Sequence, residues 1–234
     1  MNKDALKADV IEIFSSVQGE GPFMGVKQIF LRFARCNLNC RFCDLKKPFS
    51  SKEFSVSKMI SIVKQISQNS GEHHSISLTG GEPLMYRDYL KALLPELKEM
   101  GHKIYLETNS TLVDSLKDVL DLVDIVAADF KLPSSTGVGE YWREHKAFIG
   151  LAKKKNCFVK IVITNQTEAK DVKKAIDIIS KVDGNMLMVL QPVWPVEGVE
   201  RAKNKQLFDY LFLAEKRLKN VRIMPQMHKV LGVR

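Results

Sequence analysis

Apolar and polar residues alternate along this chain with two different periods. Short runs rich in β-branched and aromatic residues recur at VIEIF, QIFLRFA, SISLT, KIYLET, DIVAADF, FVKIVIT, MLMVLQP and VRIMP. Runs of that length and composition predict strands. Between them the period lengthens. Val56, Met59, Ile60, Val63 and Ile66 fall on one face of a helix, as do Leu90, Leu93, Leu94 and Leu97. Pro95 interrupts the second set and predicts a kink or an irregular start. Leu116, Val119, Leu120 and Val123 make a third face. Val172, Ala175, Ile176 and Ile179 make a fourth, with Thr167 as its N-cap and Glu168 and Asp171 near its positive end.

Strand, helix, strand, repeated, predicts an α/β fold with a parallel core sheet and helices outside it. No low-complexity linker or shift in composition divides the sequence, so residues 1–234 read as a single domain. In such folds ligands gather at the carboxyl ends of the strands. Chemistry is therefore sought just after each predicted strand.

Composition narrows the class. At 45% hydrophobic and 27% charged residues the chain has material for a core. No apolar run approaches the ~18 residues of a membrane span. The start, MNKDALKADV, has no apolar h-region, so no signal peptide is read and a cytoplasmic protein is expected. A net charge of +9 invites a nucleic-acid reading. The lysines, however, are spread through helical segments such as VKKAIDIISK and LAEKRLKN. That distribution fits a solvated face with a bias towards small anions. Neither a nucleic acid nor a membrane is an expected partner.

Three of the four cysteines fall within eight positions, as Cys36-x3-Cys40-x2-Cys43, directly after QIFLRFA. Thiolates bind soft or borderline metals. Structural zinc needs four ligands, usually as two separated pairs. Here the next histidines, His73 and His74, lie beyond a predicted helix, and Cys157 opens an apolar strand where a buried small side chain is expected. An iron–sulfur cubane with three protein-bound irons and one free iron suits three ligands without a fourth.

Other strand ends are polar. SISLT runs into Gly80-Gly81-Glu82-Pro83, whose glycines let backbone approach a ligand closely. KIYLET leads to Glu107, Thr108 and Asn109, DIVAADF ends in Asp129, Phe130 and Lys131, and MLMVLQP ends at Gln191 and Pro192. Upstream, VIEIFSS leads into Gln18-Gly19-Glu20-Gly21. Arg32 sits between Leu31 and Phe33, where a guanidinium is costly unless it meets an anion. Glu20 and Arg32 suit a small substrate with a hydrogen-bonding edge at one end and a carboxylate at the other.

The cysteine spacing, Phe42 before the third cysteine and the TGGEP run resemble the radical S-adenosylmethionine superfamily. QGEG, CNLNCRFCD, TGGEP, LETN, the strand ending in Lys131 with LPSS after it, VLQP and the terminal PQMHKVLGVR together resemble the 7-carboxy-7-deazaguanine synthases, from Phe14 to Arg234. QGEG ahead of the cysteines is the most specific element. The resemblance implies a reduced, partial (β/α) barrel, usually a homodimer, supplied with electrons by a flavodoxin or ferredoxin. It implies a lyase that converts 6-carboxy-5,6,7,8-tetrahydropterin into 7-carboxy-7-deazaguanine with loss of ammonia, a step towards deazapurines such as queuosine.

Carried over by position, Cys36, Cys40 and Cys43 would hold a [4Fe-4S] cluster. Phe42, Asp44, Gly81, Asp129, Phe130, Lys131, Gln191, Pro192, Val193 and Trp194 would contact S-adenosylmethionine. Val17, Gln18, Gly19, Glu20, Arg32, Thr79, His228 and the carboxylate of Arg234 would contact the pterin, and the tail carrying Val230, Leu231 and Val233 would dock over it. One departure stands out. Relatives place a Thr or Ser hydroxyl two residues after the third cysteine, where it helps hold magnesium; here the position is Leu45. Lys46 or Lys47 would then supply positive charge, or Ser50 or Ser51 an oxygen, or magnesium would bind through water and substrate alone.

Two rivals remain at this level. The activase of an anaerobic ribonucleotide reductase carries the same cysteine spacing, but would need a protein partner and no pterin pocket, against QGEG, Arg32 and His228. A basic zinc or nucleic-acid binding module would be colourless, without iron or sulfide.

Overall fold

The protein is described by a computed structural model covering residues 4–45 and 50–233. Strand β1 (Lys7–Val17) pairs antiparallel with β2 (Lys27–Phe33) on one side and with the short β3 (Lys52–Ser55) on the other. Thereafter helices and strands alternate. The order is α1 (Val56–Ser70), β4 (Ser75–Gly80), α2 (Arg87–Glu99), β5 (Ile104–Thr108), α3 (Val113–Val119) and β6 (Ile125–Phe130). It continues with α4 (Pro133–Thr136), α5 (Trp142–Ala152), β7 (Asn156–Ile163), α6 (Ala169–Val182) and β8 (Met188–Pro192). The last elements are α7 (Asn204–Glu215), β9 (Val221–Ile223) and α8 (Met227–Leu231).

All strands belong to one sheet in the order β3-β1-β2-β4-β5-β6-β7-β8-β9, parallel from β2 onwards. Among the described residues β3 and β9 are its edges, so the sheet curves without closing. The segment after β9 still reaches the turn after β1, where Met227 N donates to Gly19 O at 2.8 Å. The architecture is the expected partial barrel.

The eight predicted strands and four predicted helices are present. β3 has no apolar run to announce it, and α5 and α7 carry less regular faces. Helix α2 continues through Pro95 instead of breaking there. Thr167 is not the N-cap of α6. Its hydroxyl accepts from Thr164 N at 2.8 Å in the turn after β7, and Glu168 takes the cap position without a side-chain bond.

The two faces of the sheet have different chemistry. Leu106, Val126, Ala128, Val159, Ile161 and Leu190 point outwards and form the main core with the helices. Each Leu, Val or Ile among them stabilises the fold by roughly 1.5–3 kcal/mol on full burial. On the inner face Tyr105, Ile125, Ala127, Phe158 and Val189 make an apolar floor, joined by Phe23 and Met224. Residues two positions further along each strand rise above that floor towards the carboxyl ends. In β1 the register shifts between Val10 and Glu12. Such a bulge turns Glu12 to the face opposite Val10, although the two share parity. Val10 joins the core, and Glu12 and Phe14 line the interior.

Candidate active site

Above the floor the barrel opens into a cavity of about 610 Å³ at the carboxyl ends of the parallel strands. It is lined by the turn after β1, the cysteine loop, the ends of β4, β5, β6 and β8, and the C-terminal segment. Most predicted site residues meet there, including Val17, Gln18, Gly19, Glu20, Arg32, the three clustered cysteines, Phe42, Asp44, Leu45, Thr79 and Gly81. Asp129, Lys131, Gln191, Val193, Trp194 and His228 complete the group. Phe130 and Pro192 do not line it. The Phe130 ring faces outwards and stacks on His145 at 4.3 Å, while Pro192 is buried at the end of β8. Lys46, Lys47 and Arg234 lie outside the described residues.

The cysteine loop is fastened at several points. Arg41 N donates to Thr136 O at 2.8 Å, and the Arg41 guanidinium reaches Gln166. Asn37 bridges to Thr111 at 2.9 Å and accepts from Asn109 at 2.8 Å. Leu38 N donates to Cys36 Sγ at 3.4 Å. Burial pushes the Cys36 thiol up and that of Cys40 to about 11, opposed by the nearby Lys131 ammonium. Cys43 is exposed. Among the described residues no three His, Cys, Asp or Glu side chains gather as a single ion requires. A cubane needs no such convergence, because each thiolate binds its own iron.

The GGEP turn supports that loop. Gly81 N donates to Phe33 O at 2.8 Å and Glu82 N to Arg35 O at 2.7 Å. A Cβ on Gly81 would lie 2.1 Å from Arg35 O, and one on Gly80, whose φ is +107°, 2.3 Å from Phe33 O. The close approach that requires glycine is therefore to the protein's own backbone at the end of β2. Behind it, Glu82 is fully buried and accepts from Leu84 N, Asn109 N and Thr108 Oγ1 at 2.7–3.0 Å. Burial raises its carboxyl to about 7 against those donors.

The opposite wall is a charged layer. Lys160, on the inner face of β7 two residues past Phe158, sets its ammonium against Glu20 and 3.2 Å from Asp129. Asp129 also meets Lys131 at 2.8 Å, and the Lys131 ammonium lies over Phe42 at 5.4 Å. Burial alone would raise the Glu20 carboxyl, but the Lys160 charge holds it well below the usual carboxylate range. Gln226 Nε2 donates to Glu20 Oε1 at 2.8 Å while its carbonyl accepts from Trp194 N at 2.9 Å. Deeper in, Gln18 Nε2 donates to Gln28 and Glu107, and Thr79 Oγ1 to Glu107 at 2.9 Å.

Arg32 meets the anion that its position demanded, and that anion is Glu12, with Nε 2.7 Å from Oε1. The contact is ionic, since the Nε N–H has no aligned acceptor, and the guanidinium lies over Phe14 at 5.6 Å. Lys160, Glu12, Gln28 and Gln226 were not singled out from the sequence.

Only part of the tail docks as expected. His228 packs against Gly19, where a Cβ would meet its ring at 2.2 Å, and Lys229 lies 3.4 Å from Asp44 on the cysteine loop. Val230 and Leu231 are exposed and away from the cavity, so their apolar surface does not hold the tail in place, whereas Val233, though also exposed, lines the cavity.

Residues 31–204 match the Radical SAM superfamily. A 7-carboxy-7-deazaguanine synthase from Geobacter sulfurreducens is 35% identical over 96% of this chain and 97% of its own length. The chain belongs to the 7-carboxy-7-deazaguanine synthase family. At the level of fold, the crystal structure of QueE from Escherichia coli covers 97% of the chain and 96% of its own, with a TM-score of 0.65 at 19% identity. Streptococcus suis SuiB, solved bound to S-adenosylmethionine, covers 81% of the chain and 48% of its own, with a TM-score of 0.59 at 19% identity. Among the described residues no helix is long and apolar enough to cross a membrane.

Proposed function

We propose that this chain converts 6-carboxy-5,6,7,8-tetrahydropterin into 7-carboxy-7-deazaguanine, with a [4Fe-4S] cluster on Cys36, Cys40 and Cys43 and S-adenosylmethionine beside it. The observation that carries this is the opening of the cysteine loop and of the Gln18–Glu20 turn onto the same cavity. The donor set fits both groups. Asp129 Oδ1 and Gln191 Oε1 are buried acceptors with no protein partner, and both side chains line the cavity. Buried acceptors call for donors, and S-adenosylmethionine carries an ammonium and ribose hydroxyls. When bound, the cluster and cofactor would supply radical chemistry able to take hydrogen from the substrate.

The protein's part is to bind, orient and exclude water. Glu20, held as an anion, accepts from the N–H edge of the pterin, and Arg32 attracts its carboxylate. Val17, Gln18, Gly19 and Thr79 border the ring, and His228 closes over it from the tail. Phe42, Asp44, Gly81, Lys131, Val193 and Trp194 surround the cofactor, with Phe130 and Pro192 contributing only through their strands. We read the chain as one cytoplasmic domain, a homodimer, reduced by a flavodoxin or ferredoxin. Reconstituted protein given carboxytetrahydropterin, S-adenosylmethionine and a reductant is expected to yield the deazaguanine by mass. Cofactor cleavage without that product would defeat the substrate assignment.

Arg32→Ala is expected to weaken substrate binding roughly 10- to 100-fold, the ~1.5–3 kcal/mol of a hydrogen bond to a charged group. Binding of S-adenosylmethionine should not change. Calorimetric titration of each ligand checks this, and equal loss of both affinities would assign Arg32 to the fold through Glu12 instead.

Magnesium does not fit at the position relatives use. Leu45 offers no side-chain oxygen, Asp44 is engaged by Lys229, and Ser50 and Ser51 are exposed away from the cavity lining. Magnesium needs near-octahedral oxygen ligands. Enzyme carrying its cluster but freed of magnesium is expected to retain turnover without added magnesium, and Leu45→Thr to gain a response on titration. A tight, strict requirement in the natural protein would contradict this.

A further inference from the structure

We propose that Lys160 is a positioning residue for substrate recognition. Its ammonium, inserted between Glu20 and Asp129, keeps Glu20 an acceptor-only carboxylate and ties the turn that meets the substrate to the strand end that meets the cofactor. The inference rests on the function proposed above and adds a residue to it.

The placement is unusual for a lysine. Its strand neighbours Val159 and Ile161 are fully buried in the outer core, and Phe158 belongs to the inner floor. Lys160 itself is 8% exposed. A buried ammonium is strongly disfavoured unless anions surround it. Two carboxylates do so, Glu20 from the turn after β1 and Asp129 from β6, and Glu107 on β5 adds to the field. The two carboxylates differ in what else they hold. Asp129 keeps a second cation, Lys131, at 2.8 Å. Among the hydrogen bonds and ion pairs that Glu20 makes, Lys160 supplies the cation, and Gln226 the other donor.

Contacts run in an open chain through this point. Lys131, Asp129, Lys160, Glu20, Gln226 and the backbone of Trp194 are joined in sequence. The chain of contacts passes from one cofactor-side segment through the substrate turn and the tail to a second cofactor-side segment. Without Lys160, Glu20 would face burial with only Gln226 and the more distant His228 to favour its charge. A protonated Glu20 presents a hydroxyl to the pterin N–H edge, which is a donor facing a donor.

Substrate binding then acquires a pH dependence that the natural protein lacks. The charged and titratable groups facing this pair are Asp129, Lys131, Glu107, Tyr105 and His228, and all stay in place in both proteins. The probe is 6-carboxypterin, an air-stable fluorescent form of the substrate ring, titrated into natural protein, Lys160→Met and Lys160→Arg between about pH 5 and pH 8. Lys160→Met is expected to bind at least ~10-fold more weakly at the acid end than at the alkaline end, relative to the natural protein, because an acceptor must be ionised to work. Lys160→Arg should restore the natural profile.

A Lys160→Met profile parallel to that of the natural protein would overturn the proposal while leaving the function intact. Failure of the natural protein to bind the probe at any pH would overturn the substrate assignment and this proposal with it. Should Lys160→Met not fold, Glu20→Gln is compared with Lys160→Met/Glu20→Gln. Equal affinities are required if Lys160 acts through Glu20, and a further loss in the double variant would overturn the proposal.

Discussion

Replacing Cys36, Cys40 or Cys43 with Ala is expected to abolish iron–sulfur loading and reductive cleavage of S-adenosylmethionine, whereas Cys157→Ala should leave both intact. Each clustered thiol would bind a separate iron, so no neighbour substitutes for a lost one. Burial raises the Cys36 thiol and takes that of Cys40 to about 11, so these two are protonated at neutral pH in the metal-free protein. Loading must displace those protons, so iron uptake should improve as pH rises. Cys157 is different in kind. It sits at the start of β7, packed against the outer core, with burial pushing its thiol up to about 12. Its removal costs about 1 kcal/mol of packing, typical for a conservative core truncation. Iron and sulfide analysis of each reconstituted variant, with cofactor cleavage measured beside it, checks the assignment. Intact cleavage in any of the three clustered variants would defeat the radical reading.

The parts of the molecule legible in the sequence are those set by short-range pattern. Strand runs and helix faces placed the outer core, because period and burial coincide there. The cysteine loop, the Gln18–Glu20 turn and the polar strand ends were legible for a related reason, since parallel βα units carry chemistry at their carboxyl ends. What stayed hidden depends on contacts distant in the chain. Lys160 lies inside FVKIVIT, an apolar run from which no pattern separates it, and its partners Glu20 and Asp129 are on other elements. Glu12 became a partner of Arg32 through a bulge that parity alone would not reveal. The glycines of TGGEP were recognised, but their reason was not. They are packed against protein backbone, a fact that requires the position of β2.

Gly81→Ala is expected to destabilise the fold by about 3 kcal/mol or more and to lower iron loading together with stability. Overpacking typically costs ~1–3 kcal/mol when side chains can yield. Here the obstacles are main-chain atoms, with Arg35 O at 2.1 Å, Arg35 C at 2.6 Å and Ala34 O at 3.0 Å from the added Cβ. Relief requires moving the end of β2, and Cys36 is the next residue after Arg35. The hydrogen bonds from Gly81 N to Phe33 O and from Glu82 N to Arg35 O would be strained by the same movement. Gly139→Ala is the control, since Gly139, like Gly81, lacks a positive φ, but nothing lies within 4 Å of an added Cβ. It should change stability by only a few tenths of a kcal/mol up to ~1 kcal/mol, since alanine fits that backbone without collision. Urea midpoints of the metal-free proteins separate the collision from any effect on a ligand, and iron content after reconstitution reports the cysteine loop. If Gly81→Ala matched Gly139→Ala in stability and lost only affinity for S-adenosylmethionine, then glycine would be required there for the ligand's approach, and the packing account would be wrong.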